Sequence, residues 1–291
     1  MKRRPQCPSL QIVLAVAAVS ALAESGLAQQ PAASVDALGG VVITRNVDYV
    51  AGSDYANDKD KLDLFMPEGI DDAPVLVFFH GGALTAGNKS AGEALATRFV
   101  PQGVGIVSAN YRLSPGVMHP AHTQDAAAAF AWVVENIERY GGDPERVFVS
   151  GHSAGAYLAA LVALDPSYLA AHGLGLEAVR GAIPISAFLF VEETARDRPK
   201  TVWGEDPAAW LSASVTPHIV PGRPPMLLIY ADGDDAWRRG QNEKFGEAMH
   251  AAGNHDIRIV QVPDRNHTSL MSRMNASDDQ IRDLVLSFIQ R

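Results

Sequence analysis

Cysteine is almost missing: Cys7 is the only one in 291 residues. It lies ahead of an apolar run, Ile12 to Ala23, which follows Lys2, Arg3 and Arg4. A basic start, a short apolar stretch and the small residues Gly26 and Ala28 before Gln29 are the three parts of a secretory signal peptide. Residues 1–28 are therefore expected to be removed, leaving a chain that works in the periplasm or outside the cell. The mature chain would hold no thiol, which excludes disulfides and thiolate metal sites. The apolar run is shorter than the ~20 residues a membrane span needs, so no membrane association is expected after signal cleavage.

Positive charge is in deficit as well, with 24 Lys and Arg against 33 Asp and Glu, a net charge of −9. No basic run follows the N-terminus, which argues against a nucleic-acid or anionic-membrane partner. Aromatic residues make up only 7% of the chain, and glycine and proline are scattered, as in an ordinary α/β domain. With 47% hydrophobic residues, the length suffices for one large core.

Gln29 to Gly40 reads as a flexible leader. Beyond it, eight strand-like runs can be placed: Val41–Val50, Leu62–Met66, Val75–Phe79, Gly105–Ala109, the run from Val147, Ala182–Ser186, Met226–Tyr230 and Ile257–Val262. Several are continuously apolar, as expected of strands covered on both faces. Helical spacing appears between them over Ala91–Val100, Thr123–Tyr140, Asn242–Ala252 and Gln280–Ile289. The alternation predicts a mostly parallel eight-stranded sheet flanked by helices, with functional residues in loops after the strand ends. From Ala187 to Pro225 the period breaks down, and this stretch reads as a small lid insertion.

The most informative stretch is Val147 to Ala156, a β-branched and aromatic run, then Gly151-His152-Ser153-Ala154-Gly155, then an alanine-rich helix. A serine hydroxyl is a poor nucleophile and must be exposed and aimed. A strand–turn–helix elbow does both, holding Ser153 on a sharp bend and offering the Ala154 N–H to a developing oxyanion. The base is expected to be His267, in the loop after the last strand. His250 sits in a helix, His255 at the wrong end of a strand, and His119 and His122 near a helix start. His152 neighbours Ser153 but is expected to be turned away from it. The orienting carboxylate falls in Asp232-Gly233-Asp234-Asp235, with Asp234 first choice, Asp235 second and Asp232 third. The other two aspartates are expected to form turns. His80-Gly81-Gly82-Ala83 ends another central strand, so Gly82 and Ala83 are expected to join Ala154 as oxyanion donors. Leu84 and Thr85, with His80, are expected to meet substrate.

His80-Gly81-Gly82, Tyr111-Arg112-Leu113-Ser114-Pro115, Gly141-Gly142-Asp143-Pro144 and Gly151-His152-Ser153-Ala154-Gly155 occur in this order. As a set they resemble the α/β-hydrolase esterases with an HGG oxyanion loop. That group spans hormone-sensitive-lipase-like esterases, feruloyl- and acetyl-xylan-esterase-like proteins and kynurenine formamidases. The resemblance covers Val41 to the C-terminus. It implies the triad order Ser153, Asp234, His267 and hydrolysis of a small or short-acyl carboxylic ester, with no metal and no cofactor. Ala83 stands where the lipase-like branch has a third glycine, and Leu84 where the formamidases have an aromatic residue. An arylformamidase activity is the enzyme alternative, and a non-catalytic binding protein on this fold the alternative of another class.

Overall fold

Strand alternation decides the layering. In the computed structural model, which describes residues 35–53, 55–274 and 279–291, Val75, Val77 and Phe79 of one strand enter one hydrophobic cluster while Leu76 and Phe78 enter another. A strand apolar on both sides must be covered on both sides. The sheet is therefore a middle layer between two cores. The segment read as a signal peptide lies outside the described residues.

The chain runs β1 (Val35–Leu38), β2 (Val41–Asp48), β3 (Lys61–Pro67), β4 (Ala73–Phe79), α1 (Glu93–Phe99), β5 (Gly105–Ala109), α2 (Ala121–Asn136) and β6 (Gly142–His152). It continues through α3 (Ala154–Leu164), β7 (Gly181–Ile185), β8 (Met226–Ala231), α4 (Ala236–Ala251), β9 (Ile257–Val262) and α5 (Gln280–Ile289). The strand order is β1-β2-β3-β5-β4-β6-β7-β8-β9. From β5 to β9 every neighbouring pair is parallel, while β1, β2 and β3 join through antiparallel ladders. The eight expected strands are all present. A ninth, β1, lies in the stretch read as a flexible leader, where four residues pair with β2 at the sheet edge.

The strand order reverses at β4, which has β5 on one side and β6 on the other. A reversal of this kind leaves a crevice beyond the carboxyl ends of the strands. The loops after β4 and β6 open into it together. Behind them, α3 is buried at every position. A helix apolar on all sides must be enclosed, and α3 is walled by β4, β6, β7 and α2. Its alanines allow that close approach.

The stretch 187–225 is aperiodic because it is built from short pieces, Val191–Thr194, Lys200–Trp203 and Pro207–Ser212 among them. It is nonetheless firmly packed. Phe188 stacks on Tyr157 of α3 with ring centroids 4.7 Å apart, and Trp203 meets both rings edge-on. Helix α4 starts six residues earlier than its apolar spacing suggested, because Arg238 in its first turns is buried rather than solvated.

Candidate active site

The bend at Ser153 is enforced from both sides. Its φ is +56° and its ψ −112°, outside the regions side chains ordinarily adopt. A Cβ at Gly151 would stand 2.3 Å from the backbone of Gly155, and one at Gly155 would stand 1.9 Å from the Phe79 carbonyl oxygen. Only glycines let the helix begin that close to the strand carrying the turn. The Ser153 N–H donates to the Ile185 carbonyl at 2.9 Å, which pins the elbow to the end of β7.

The next residue, Ser186, joins the elbow to the acid and base. Its hydroxyl lies 2.7 Å from Asp234 Oδ2 and 2.8 Å from His267 Nδ1, while Asp234 Oδ1 is 2.8 Å from the same Nδ1. A carboxylate can only accept, so Ser186 donates to Asp234, and the Nδ1–H of His267 is shared between Asp234 Oδ1 and Ser186 Oγ. This fixes the tautomer and leaves His267 Nε2 as the nitrogen free to take a proton. Asp234 is buried, and burial alone would push its carboxyl up. Hydrogen bonds from His267, the Ala231 N–H (2.9 Å) and Ser186 outweigh that and hold it below the usual carboxylate range. Arg238, whose Nη1 donates to the Ser186 carbonyl at 2.8 Å, adds a cation 3.9 Å from Asp234 Oδ1. Of the three candidate aspartates, Asp234 is thus the one in contact with His267.

Asp232 has a different task. Its carboxylate accepts the N–H groups of Asp264 (3.0 Å) and Arg265 (3.1 Å), clamping the loop that carries His267. It sits in the turn expected of it and also bridges two loops. Arg265 reaches in turn to the buried Asp279, 3.0 Å away, at the start of α5. Asp235 occupies the N-cap position of α4 and makes no side-chain cap.

The loop after β4 is braced from beneath. Tyr111 stacks on His80 at 4.3 Å and donates its hydroxyl to the His80 carbonyl at 2.8 Å; Ser114 N–H donates to the Leu84 carbonyl. Arg112 grips Asp125 of α2 with the Nε–Nη2 edge of its guanidinium. The motif from Tyr111 to Ser114 is therefore a buttress. Gly82, Ala83 and Leu84 have φ of +119°, +55° and +63°, and Gly82 and Ala83 face solvent. Among the described residues no hydrogen bond takes up the N–H groups of Gly82, Ala83 or Ala154. Gly81 packs against the elbow, with its Cβ position 3.4 Å from Ser153 Cβ. Of the three residues expected to meet substrate, only Thr85 is exposed. His80 and Leu84 are buried, His80 stacked under the loop and Leu84 in the core, so both shape the loop from below. Burial lowers the His80 pKa to about 4, which keeps it neutral.

Sequence reasoning missed two residues of the cluster, Ser186 and His152. His152 faces the base loop: its ring lies 4.6 Å from that of His267 and its Nε2 is 2.9 Å from the His267 carbonyl. His152 also lines a largely apolar cavity of about 300 Å³, together with Ala94, Leu95, Thr268, Met271 and Met274 among others.

The family model named BD-FAE matches residues 62–249, from β3 to the end of α4. Esterase LipQ of Mycobacterium tuberculosis is 32% identical over 67% of this chain and 50% of its own length. Esterase LipC of the same organism is 30% identical over 67% of this chain and 53% of its own. The chain spans about half the length of these curated relatives. Among solved structures, a thermophilic esterase from Thermogutta terrifontis superposes with a TM-score of 0.68 at 24% identity, covering 86% of this chain and 93% of that one.

Proposed function

The chain belongs to the BD-FAE family of α/β-hydrolases, and from that premise we propose that it is a serine hydrolase cleaving carboxylic esters of small or short-acyl substrates. The observation that carries this reading is the hydrogen-bonded set Asp234–Ser186–His267 beside an elbow that bends at a serine.

His267 Nε2 removes the proton from Ser153 Oγ as that oxygen attacks the ester carbonyl. The carbonyl oxygen, now an anion, is held by the unpaired N–H groups of Gly82, Ala83 and Ala154. Donors already aimed at that charge need no reorganisation when it forms, and losing one costs ~10²–10³ in rate in comparable sites. Asp234 keeps Nδ1 protonated and stabilises the imidazolium. His267 then gives its proton to the departing alcohol, and water attacks the acyl-enzyme by the same route in reverse. We place the mature enzyme in the periplasm or outside the cell on the strength of the N-terminal segment; N-terminal sequencing of the secreted form should begin at Gln29.

The test is turnover of p-nitrophenyl acetate, butyrate and octanoate beside a formyl-arylamide. Faster acetate or butyrate hydrolysis supports the reading. A formyl-arylamide turned over faster than every ester would replace it with an arylformamidase, and no turnover with folded protein would favour a binding role.

A further inference from the structure

The loops bearing the nucleophile, the base and the oxyanion donors meet at one side chain that the mechanism above leaves without a part. His152 precedes Ser153 in the chain, so its backbone is fixed by the same strained bend. Its Nε2 lies 2.9 Å from the carbonyl oxygen of His267, a residue 115 positions later. A carbonyl only accepts, so Nε2 carries the proton and donates. The ring also packs against the His267 ring, with centroids 4.6 Å apart and planes at 39°. Toward the oxyanion loop, His152 Nδ1 and the His152 carbonyl lie 3.2 Å and 3.1 Å from where a Cβ of Gly81 would stand.

We propose that His152 is a positioning residue for the base: its Nε2–H holds the His267 carbonyl while its ring backs the His267 imidazole, fixing the base relative to Ser153. This rests on Ser153 and His267 being nucleophile and base. Among the described residues the base loop is also tied to the β8 loop through Asp232, Gly233 and Asp234, to α5 through Asp279, and to the end of β7 through Ser186. His152 is the direct tie to the elbow. Such a tie matters because a misplacement of about 1 Å between reacting groups can cost ~10² in rate.

The device requires a neutral ring, since a cation there would oppose the imidazolium that forms on His267. The groups facing it are His267 on the base loop, Arg238 on α4 and Asp234 on the β8 loop. The cavity side, with Ala91, Ala94, Leu95 and Met271, brings no charge. Burial first, and then the positive field of His267, lower the His152 pKa to about 4. It is therefore an uncharged donor across the neutral range.

The test compares His152→Phe, which keeps a ring but loses the donor, with His152→Gln, whose amide can still reach a carbonyl. Each is read by kcat and KM for p-nitrophenyl butyrate, by the rate at which a fluorophosphonate labels Ser153, and by thermal melting. The Phe variant should lose ~10-fold or more in kcat and labelling rate with KM within about twofold, and Gln should recover to within about threefold of the parent. The acid limb of the kcat/KM profile should keep its midpoint in the Gln variant. A Phe variant as fast as the parent, a Gln variant as slow as Phe, a loss confined to KM, or a displaced acid limb would each overturn the proposal. If the parent is labelled at Ser153 yet hydrolyses no ester, the ester reading fails while the labelling rates still decide the role of His152.

Discussion

Replacing Ser186 by alanine removes one hydroxyl and three consequences follow from its geometry. Asp234, wholly buried, accepts from His267 Nδ1 at 2.8 Å, from Ser186 at 2.7 Å and from the Ala231 N–H at 2.9 Å. The substitution deletes one of these three bonds to a charged group, and such bonds contribute ~1.5–3 kcal/mol each. Urea denaturation should register that loss, and the melting temperature should fall by ~3–6 °C for a domain of this size. The pH dependence should change as well. A carboxyl held below its unfolded value contributes stability that is present above the unfolded pKa and lost as pH falls through the folded one. With one favourable bond gone the folded value rises, so acid unfolding should begin at higher pH. Turnover should fall only ~10-fold, because Asp234 alone still holds the Nδ1 proton and hence the tautomer. A variant with stability unchanged within ~0.5 kcal/mol and the parent's acid midpoint would refute the assignment of Ser186 as a donor to the carboxylate.

Gly155→Ala places a methyl 1.9 Å from the Phe79 carbonyl oxygen; it should destabilise by at least ~1–3 kcal/mol and lower kcat by ~10² or more as the elbow shifts. Gly240→Ala is its control: it lies within α4, meets no atom within 4 Å and should stabilise by ~0.5–1 kcal/mol in the same urea titration. Asp234→Asn should cut kcat by ~10⁴ through the wrong tautomer, whereas Asp235→Asn should leave it within about threefold; equal losses would undo the choice between them. Asp232→Ala releases the Asp264 and Arg265 amides, so their hydrogen exchange should quicken and kcat should drop several-fold with little change in KM.

Much of this site is written in local sequence because local sterics dictate it. Gly151, Gly155 and Gly82 are demanded by backbone approaches of 2.3, 1.9 and 2.1 Å, and each leaves a readable mark. The strands around them are legible because both faces are apolar. What was not legible depends on distant partners. Among three neighbouring aspartates, only the contact with a residue 33 positions later distinguishes Asp234. Ser186 resembles any serine ending a strand until β7 brings it between Asp234 and His267. The local turn says only how His152 stands relative to Ser153; the base loop, arriving from the far end of the chain, gives it a partner. Leu84 and His80 misled for the opposite reason, since adjacency to the oxyanion loop says nothing of which side of that loop is core. The first residues of α4 look solvated because Trp237, Arg238 and Arg239 break the apolar period, yet Arg238 is buried against the Ser186 carbonyl and Asp234. The four residues of β1 are too few to show a period.

Ser153→Ala tests the central claim most directly, by comparing hydrolysis of p-nitrophenyl acetate and butyrate with the parent under conditions where both are folded. Turnover should fall by at least ~10⁴, with thermal stability unchanged or raised as the hydroxyl leaves the strained bend. A folded variant hydrolysing at the parent's rate would contradict an acyl-enzyme on Ser153.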